Sequence, residues 1–190
     1  MNKLHAVPEQ VTQESWLKMY YFVRAAFSIA WVIAAATVAP HSPVIAAALL
    51  VCYPAWDALA NFLDATRSGG LAANRTQAVN VVASLAIAIA VAVSLPDMNR
   101  VLGVFGVWAI LSGMLQLGTG LRRWKTHGAQ WAMILSGAQS ALAGGVFIFQ
   151  SQTPTVPSIA TVAGYAGFGG FYFLVSALLL SVKAMRRKAA

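Results

Sequence analysis

The chain has 190 residues, of which 59% are hydrophobic and only 9% are charged, and its formal net charge is +8. A soluble domain carries about 25% charged residues, because its apolar core has to be wrapped in polar surface. The composition therefore excludes an ordinary soluble domain and predicts an integral membrane protein in contact with the lipid bilayer.

The first two helices are predicted within residues 17–63, on either side of the Pro-His-Ser-Pro segment at 40–43. Further along the chain, residues 76–96, 101–121 and 128–182 contain no Asp, Glu, Lys or Arg. A hydrocarbon layer about 30 Å thick needs roughly 20 apolar residues per helix. The two shorter uncharged segments therefore predict one membrane span each, and the long one predicts two.

We predict an all-α, polytopic membrane fold with six transmembrane helices. Pro40, Pro96 and Pro154 recur at near-regular intervals, and this spacing predicts three repeated helical hairpins, each with a short outer turn. The predicted hairpins cover about 17–64, 77–121 and 129–182. They form a membrane domain at 17–185, between an N-terminal tail at 1–16 and a basic C-terminal tail at 186–190.

The basic residues predict the orientation of these helices. If the N-terminus is cytoplasmic, the outer loops hold Arg100 alone, and the remaining Lys and Arg residues lie on the inner side. Such a bias is typical of cytoplasmic loops, so we expect both termini in the cytoplasm. The basic helix ends favour contact with anionic lipid, and their clustering there argues against nucleic-acid binding.

Arg24 and Asp57 are the most informative charges within the predicted spans. In a hairpin centred on Pro40 and His41, they lie at equal depth, so we predict a buried ion pair between the first two helices. One interpretation is a clamp that fixes the register of these helices. The alternative is a proton-responsive or ion-responsive site in which Asp57 gains a proton and releases Arg24.

A second polar cluster is predicted near the inner ends of the second and third helices. Asp57, Asn61 and Asp64 share one helical face. Gly69 and Gly70 are expected to end the second helix, and Asn74 or Thr76 to cap the third. Either a well-capped turn or a binding site for a headgroup, an ion or a partner explains the cluster, whose other members are Arg67, Asn74, Arg75, Gln77 and Asn80.

Small and polar residues inside the later helices give two further expectations. Gln116 and Gln77 have similar predicted depths, which favours a hydrogen bond between them. Ser136, Ser140 and Gly144 recur every four residues on one helical face, a pattern typical of close helix packing, with a substrate groove as the alternative. Such faces can also pack between copies of one chain, so a homo-oligomer is an alternative to packing within the chain.

The sequence contains no recognisable catalytic arrangement. His5, His41 and His127 lie in a tail or in loops without matched carboxylates, and Cys52 is the only cysteine. No metal-ligand spacing and no phosphate-binding glycine loop is present. We therefore expect no enzyme activity, no cofactor and no metal site.

Two segments resemble the HdeD-like acid-resistance membrane proteins, a bacterial family of short membrane repeats largely of unknown function. They are Gly106-Val107-Trp108-Ala109-Ile110-Leu111-Ser112-Gly113 and Trp131-Ala132-Met133-Ile134-Leu135-Ser136-Gly137. The first leads to Leu121-Arg122-Arg123 and the second to Ala143-Gly144. The resemblance implies a small inner-membrane protein connected with acid stress, and it implies no catalytic or ligand-binding residues.

These observations favour a non-enzymatic membrane protein in acid or envelope stress protection. A conduit for protons, ions or small solutes is the first alternative. A membrane scaffold that recruits a partner through the 64–77 loop is the second.

Overall fold

The computed structural model of the chain describes residues 6–123 and 130–189 and is all-helical over that part. A short 3₁₀ turn, Ala39–His41, follows the first helix. The six helices are α1 (Ala6–Thr37), α2 (Pro43–Arg67), α3 (Arg75–Ser94), α4 (Met98–Arg123), α5 (Gln130–Gln150) and α6 (Ile159–Ala189).

Five of these helices, α1 to α4 and α6, are long and apolar enough to cross a bilayer. The apolar stretch of α5 within the described residues, Ile134–Gln150, is shorter than a full span. Large apolar side chains such as Val44, Ile89 and Val93 are exposed on the outside of the bundle. The fold is therefore that of a multi-pass membrane protein whose outer surface suits lipid.

The first and last helices extend beyond the predicted membrane domain. α1 already begins at Ala6, inside the predicted tail at 1–16, and α6 continues to Ala189 through the predicted tail at 186–190. No glycine interrupts either extension, and Pro8 stands in the first turn of α1, where a proline is tolerated. Lys3, His5, Lys125 and His127 lie outside the described residues.

Side-chain hydrogen bonds cap the N-termini of α2 and α4, which follow the turns that contain Pro40 and Pro96. Ser42 precedes Pro43, and its Oγ accepts a hydrogen bond from the Ile45 N–H at 3.3 Å. Asp97 Oδ1 accepts the N–H groups of Asn99 and Arg100, both at 3.1 Å. A side-chain oxygen here satisfies the unpaired donors of a first helical turn, so each chain reversal is fixed locally.

The six helices form a closed ring, in which each helix contacts its neighbours in sequence and α1 contacts α6. The closest packing joins α4 to α5, α1 to α6, and α2 to α3. Within the predicted hairpins, α1 touches α2 little, and α5 touches α6 little. The helices that the proline-containing turns connect are thus the more widely spaced neighbours, and the threefold repeat stays a prediction.

Glycine explains why α4 and α5 approach so closely. A Cβ on Gly113 would lie 2.5 Å from the Gly137 carbonyl oxygen, and a Cβ on Gly144 would lie 2.5 Å from the Gly106 carbonyl oxygen. Both distances are too short for any other residue. By contrast, the stacked rings of Phe27 and Trp56, with centroids 4.4 Å apart, separate α1 from α2.

The apolar core lies toward the end of the bundle where the three proline-containing turns meet, which we call the proline end. The opposite end, with Arg67 and Arg75, we call the basic end. Leu50, Phe105 and Val162 are fully buried near the proline end. Polar side chains are concentrated farther down, toward the basic end, and there they form the candidate site.

Candidate functional site

An ion pair between Arg24 of α1 and Asp57 of α2 forms the centre of the site. Arg24 Nη2 donates to Asp57 Oδ1, and the two side chains are 13% and 14% exposed. Arg24 Nη1 donates to Tyr20 Oη at 2.8 Å. The guanidinium also lies 4.2 Å from the ring centroid of Phe173 in α6. The equal-depth argument thus predicts the partner that Arg24 has in the structure.

Asp57 accepts hydrogen bonds from two further helical positions. Ser84 Oγ of α3 donates to Asp57 Oδ2 at 2.8 Å, and Asn61 Nδ2 donates to the same oxygen at 3.0 Å. Trp108 Nε1 of α4 in turn donates to Ser84 Oγ at 3.1 Å. One hydrogen-bonded network therefore joins α1, α2, α3 and α4, and it gives the carboxylate the partners that a buried ion needs.

A separate network holds the basic ends of α1, α2 and α3 together. Buried Asp64 accepts from Trp16 Nε1 at 3.3 Å and from Gln77 Nε2 at 3.1 Å. The Arg67 guanidinium lies 4.9 Å from the Trp16 ring centroid. Within the described residues, exposed Arg75 and half-buried Asn80 join neither network. Of the predicted inner cluster, Asp64, Arg67 and Gln77 are thus engaged in contacts between helices.

The turn between α2 and α3 differs in one detail from the prediction. Gly69 and Gly70 follow α2 with φ values of 94° and 89°, a backbone conformation that glycine adopts readily. Asn74 stands at the N-cap position of α3, but its side chain does not cap that helix. Its amide donates instead to the carbonyls of Ser68 and Gly70. Thr76 lies inside α3, so the predicted side-chain cap was wrong for both residues.

The predicted hydrogen bond between Gln77 and Gln116 was also wrong. Both side chains are described, yet Gln77 donates to Asp64 of α2. Gln116 belongs to α4, which packs most closely on α5, whereas α3 packs most closely on α2. Equal depth in a hairpin brings two residues together only if both lie on the helical faces that contact each other. Gln116 lies on a face of α4 that does not contact α3.

A cavity of about 300 Å³ lies beside the ion pair. It is bounded by α1, α2, α4, α5 and α6. Its polar lining comprises Arg24, Ser28, Asp57, Ser112, Gln116, Ser136, Gln139, Ser140 and Thr161. Its aromatic lining comprises Tyr53, Trp56, Trp108, Phe147, Tyr165, Phe168, Tyr172 and Phe173, and the small residues Ala143, Gly164 and Gly169 complete it.

Hydrogen bonds cross the cavity between α5 and α6. The hydroxyl groups of Ser140 and Tyr165 are 2.7 Å apart, and Tyr172 Oη donates to Gln139 Oε1 at 2.7 Å. Of the predicted small-residue face of α5, Ser136 and Ser140 line the cavity, while Gly144 packs against α4. The close-packing interpretation therefore holds for Gly144, and the substrate-groove interpretation of Ser136 and Ser140 stays a prediction.

Two buried polar atoms on cavity-lining residues lack a hydrogen-bond partner. They are Arg24 Nε, a donor, and Gln116 Oε1, an acceptor. An unpaired buried polar group costs about 1–3 kcal/mol, and most such groups in folded proteins are paired. Both residues line the cavity, but the two atoms themselves are shielded, so a bound molecule engages them only after the side chains turn toward it.

The sequence patterns indicate five residues of the cavity lining, which are Arg24, Asp57, Gln116, Ser136 and Ser140, but not the rest of it. Gln139, Tyr165 and Tyr172 were not singled out, although polar and aromatic residues recur along one face of α6. Within the described residues, no group of three or more His, Cys, Asp or Glu side chains could hold a metal ion. The site consists of one neutralised charge pair, hydroxyls, amides and rings.

The fold and the site together define a multi-pass, all-helical protein with a polar, aromatic cavity among its apolar helices. Comparison of the chain with protein-family models, with curated proteins and with solved structures finds no significant match in any of the three.

Proposed function

We propose that this protein is a non-enzymatic integral membrane protein that binds a small solute in the cavity beside Arg24 and Asp57. The observation that carries the proposal is the pair of unpartnered polar atoms, Arg24 Nε and Gln116 Oε1, on residues that line a 300 Å³ space. Cavities of this size with a few convergent polar groups among aromatic side chains are typical of small-molecule sites.

Binding is favoured over an open conduit. The proline end of the ring is closely packed, with Leu102, Phe105 and Val162 almost completely buried. A continuous polar path from one end of the bundle to the other would have to displace these side chains. Asp57 is also fully engaged by Arg24, Ser84 and Asn61, which supports the clamp interpretation over a proton-responsive switch.

Cysteine labelling tests whether solutes reach the cavity. In a Cys52→Ser background, Ala143→Cys places a thiol on the cavity wall, and we expect small methanethiosulfonate reagents to modify it. Ala166→Cys is the matched control, because Ala166 lies in α6 and is fully buried in the core. Mass spectrometry of the purified protein reports both reactions. Equal, background-level labelling of the two thiols would refute the solute-binding proposal.

A second proposal is a role in acid or envelope stress protection as an HdeD-like protein. It is supported by the resemblance and by the contacts of its glycines, since Gly106 and Gly113 of one segment pack on Gly144 and Gly137 of the other. A deletion strain is expected to survive exposure to low pH less well than its parent. Full survival of the deletion strain would remove this proposal, and complementation with the intact gene is the control.

The remaining elements of the proposal concern the surroundings of the protein. The distribution of Lys and Arg supports cytoplasmic termini and contact of the basic helix ends with anionic lipid. The proposed location in a bacterial inner membrane is supported by the resemblance to the HdeD-like proteins. The scaffold alternative predicts a partner captured through the α2–α3 turn. Arg67 and Arg75 are exposed there, so capture should be lost when both are changed to glutamine.

A further inference from the structure

The cavity follows one of the loosely packed seams of the ring, between α5 and α6. On α5 its lining includes Ser136, Ser140 and Ala143, and on α6 it includes Gly164 and Phe168. These positions recur at intervals of three or four residues, so each set forms a stripe along one helical face. The backbones of α5 and α6 approach each other at few points, and the Ser140–Tyr165 and Gln139–Tyr172 hydrogen bonds bridge the space between the stripes without filling it.

This seam opens to the outside of the bundle at a depth that lies within the hydrocarbon layer. Phe168 lines the cavity and is 57% exposed, and Gly164, one turn away, is exposed with nothing within 4 Å of a Cβ built on it. At a rise of about 1.5 Å per residue, Phe168 lies about 14 Å below the start of α6. A molecule entering between these helices therefore comes from the lipid phase.

The charges of the lining favour an uncharged molecule. Arg24 is the cationic side chain on the lining and Asp57 the anionic one, and they neutralise each other. A charged ligand would leave its own charge unpaired in a nonpolar environment, at a large free-energy cost. A neutral molecule avoids that cost and also partitions into the bilayer from which the seam opens.

The rings and the unpaired polar atoms define the shape and polarity of the ligand. Trp56, Trp108 and Tyr165 supply flat apolar walls, which suit an aromatic ring system. Arg24 Nε requires an acceptor, and Gln116 Oε1 requires a donor. A lipid acyl chain has neither group, so it would leave both polar atoms unpaired.

Resting on the proposed solute-binding function, we infer that the ligand is an uncharged, planar aromatic molecule that carries both a hydrogen-bond acceptor and a hydrogen-bond donor. It enters from the bilayer between α5 and α6, past Gly164 and Phe168. Its polar end engages Arg24 Nε and Gln116 Oε1, and its ring lies among the aromatic side chains of the lining.

Naphthamide is a suitable probe, because it joins an uncharged aromatic ring system to a carbonyl acceptor and an N–H donor. In nanodiscs of neutral lipid, it is expected to slow methanethiosulfonate labelling of Ala143→Cys. Adding Gln116→Met should weaken this protection about tenfold, since it removes one hydrogen bond while preserving side-chain length. Gln150→Met is the matched control, because Gln150 is exposed at the end of α5 and does not line the cavity. It should leave protection unchanged.

Three comparison molecules separate the inferred class from its rivals. At equal concentration in the bilayer, methylnaphthalene lacks the polar groups, naphthoate carries a charge, and hexadecane stands for an acyl chain. Each is expected to protect Ala143→Cys at least about tenfold less well than naphthamide. Equal protection by any of them would overturn the inferred ligand class.

Entry from the lipid is tested by two matched glycine substitutions. Gly164→Trp places a large ring in the opening, and Gly145→Trp places the same ring on α5 away from the cavity lining; a Cβ at either position meets nothing within 4 Å. Gly164→Trp is expected to slow the onset of naphthamide protection at least about tenfold, and Gly145→Trp to leave it unchanged. Equal rates in the two variants would overturn the lateral route.

The two proposals fail in different ways. If Ala143→Cys is labelled but naphthamide gives no protection, the cavity still admits solutes and only the ligand class is wrong. If Ala143→Cys reacts no faster than Ala166→Cys, the solute-binding function itself is wrong.

Discussion

At the scale of single residues, Asp57 is held by contacts from three helices. Its carboxylate accepts from Arg24, Asn61 and Ser84, which belong to three different helices. Burying an ion is unfavourable unless it is paired and its remaining lone pairs are hydrogen-bonded, and Asp57 meets both conditions. The same contacts fix the position of Arg24, whose Nε is buried without a hydrogen-bond partner.

Breaking the ion pair from one side is expected to destabilise the protein. Asp57→Asn and Arg24→Gln should each lower the free energy of unfolding by about 3 kcal/mol, because each leaves one buried charge without its partner. The double variant should lose less than the sum of the two, since it leaves neither charge behind. Unfolding in detergent mixtures, followed by circular dichroism, measures all three losses.

Arg100→Gln provides the matched control for that cycle. Arg100 pairs with Asp97 at 3.0 Å, but the two side chains are 77% and 46% exposed. Exposed pairs contribute little, so its loss should stay below about 1 kcal/mol. Additive losses for Arg24→Gln and Asp57→Asn would contradict the clamp interpretation.

At the scale of helices, the arrangement depends on which pairs can approach. Small residues allow close backbone contact in a bilayer, where apolar burial supplies no drive for association between helices. Close backbone contact at the α4–α5 interface depends on four glycines, which are Gly106, Gly113, Gly137 and Gly144. At the α1–α6 interface, a Cβ on Gly170 would lie 2.9 Å from the Ser28 Cβ, so the same device recurs there.

Neighbouring glycines in α5 should respond in opposite ways to an added methyl group. Gly144→Ala places a Cβ against the α4 backbone and is expected to lower the free energy of unfolding by about 2 kcal/mol. Gly145→Ala meets nothing within 4 Å and should be neutral or stabilising by up to about 1 kcal/mol. Thermal unfolding of both variants in the same detergent decides this, and equal losses would contradict the glycine-contact explanation.

The sequence predicts the helices far better than their packing. Apolar segments of about 20 residues predict six helices, because lipid thickness sets that length. Depth within a hairpin brings Arg24 to Asp57, but the same argument fails for Gln77 and Gln116. Depth gives the position of a residue along the helix axis but not the rotation of the helix about that axis. For α4, the glycine interface with α5 sets this rotation. The cavity depends on five helices at once, so no local pattern indicates it.

At the scale of the whole molecule, the ring is tightly packed at the proline end and polar toward the basic end. Charged side chains at the basic end, such as Arg67, Arg75 and Arg186, are exposed. At the proline end, Arg100 is paired with Asp97. The unequal distribution of basic charge along the bundle axis is therefore a property of the assembled fold as well as of the sequence.

This distribution predicts which loops an impermeant reagent can reach in intact bacterial cells. In a Cys52→Ser background, Thr155→Cys lies in the exposed loop before α6, and Ala72→Cys lies in the exposed turn between α2 and α3. Because cytoplasmic loops carry the excess of Lys and Arg, a membrane-impermeant maleimide should label Thr155→Cys and spare Ala72→Cys. Both thiols should react once the cells are permeabilised, which controls for accessibility. The reverse pattern in intact cells would mean that the basic end faces outward and that the proposed cytoplasmic termini are wrong.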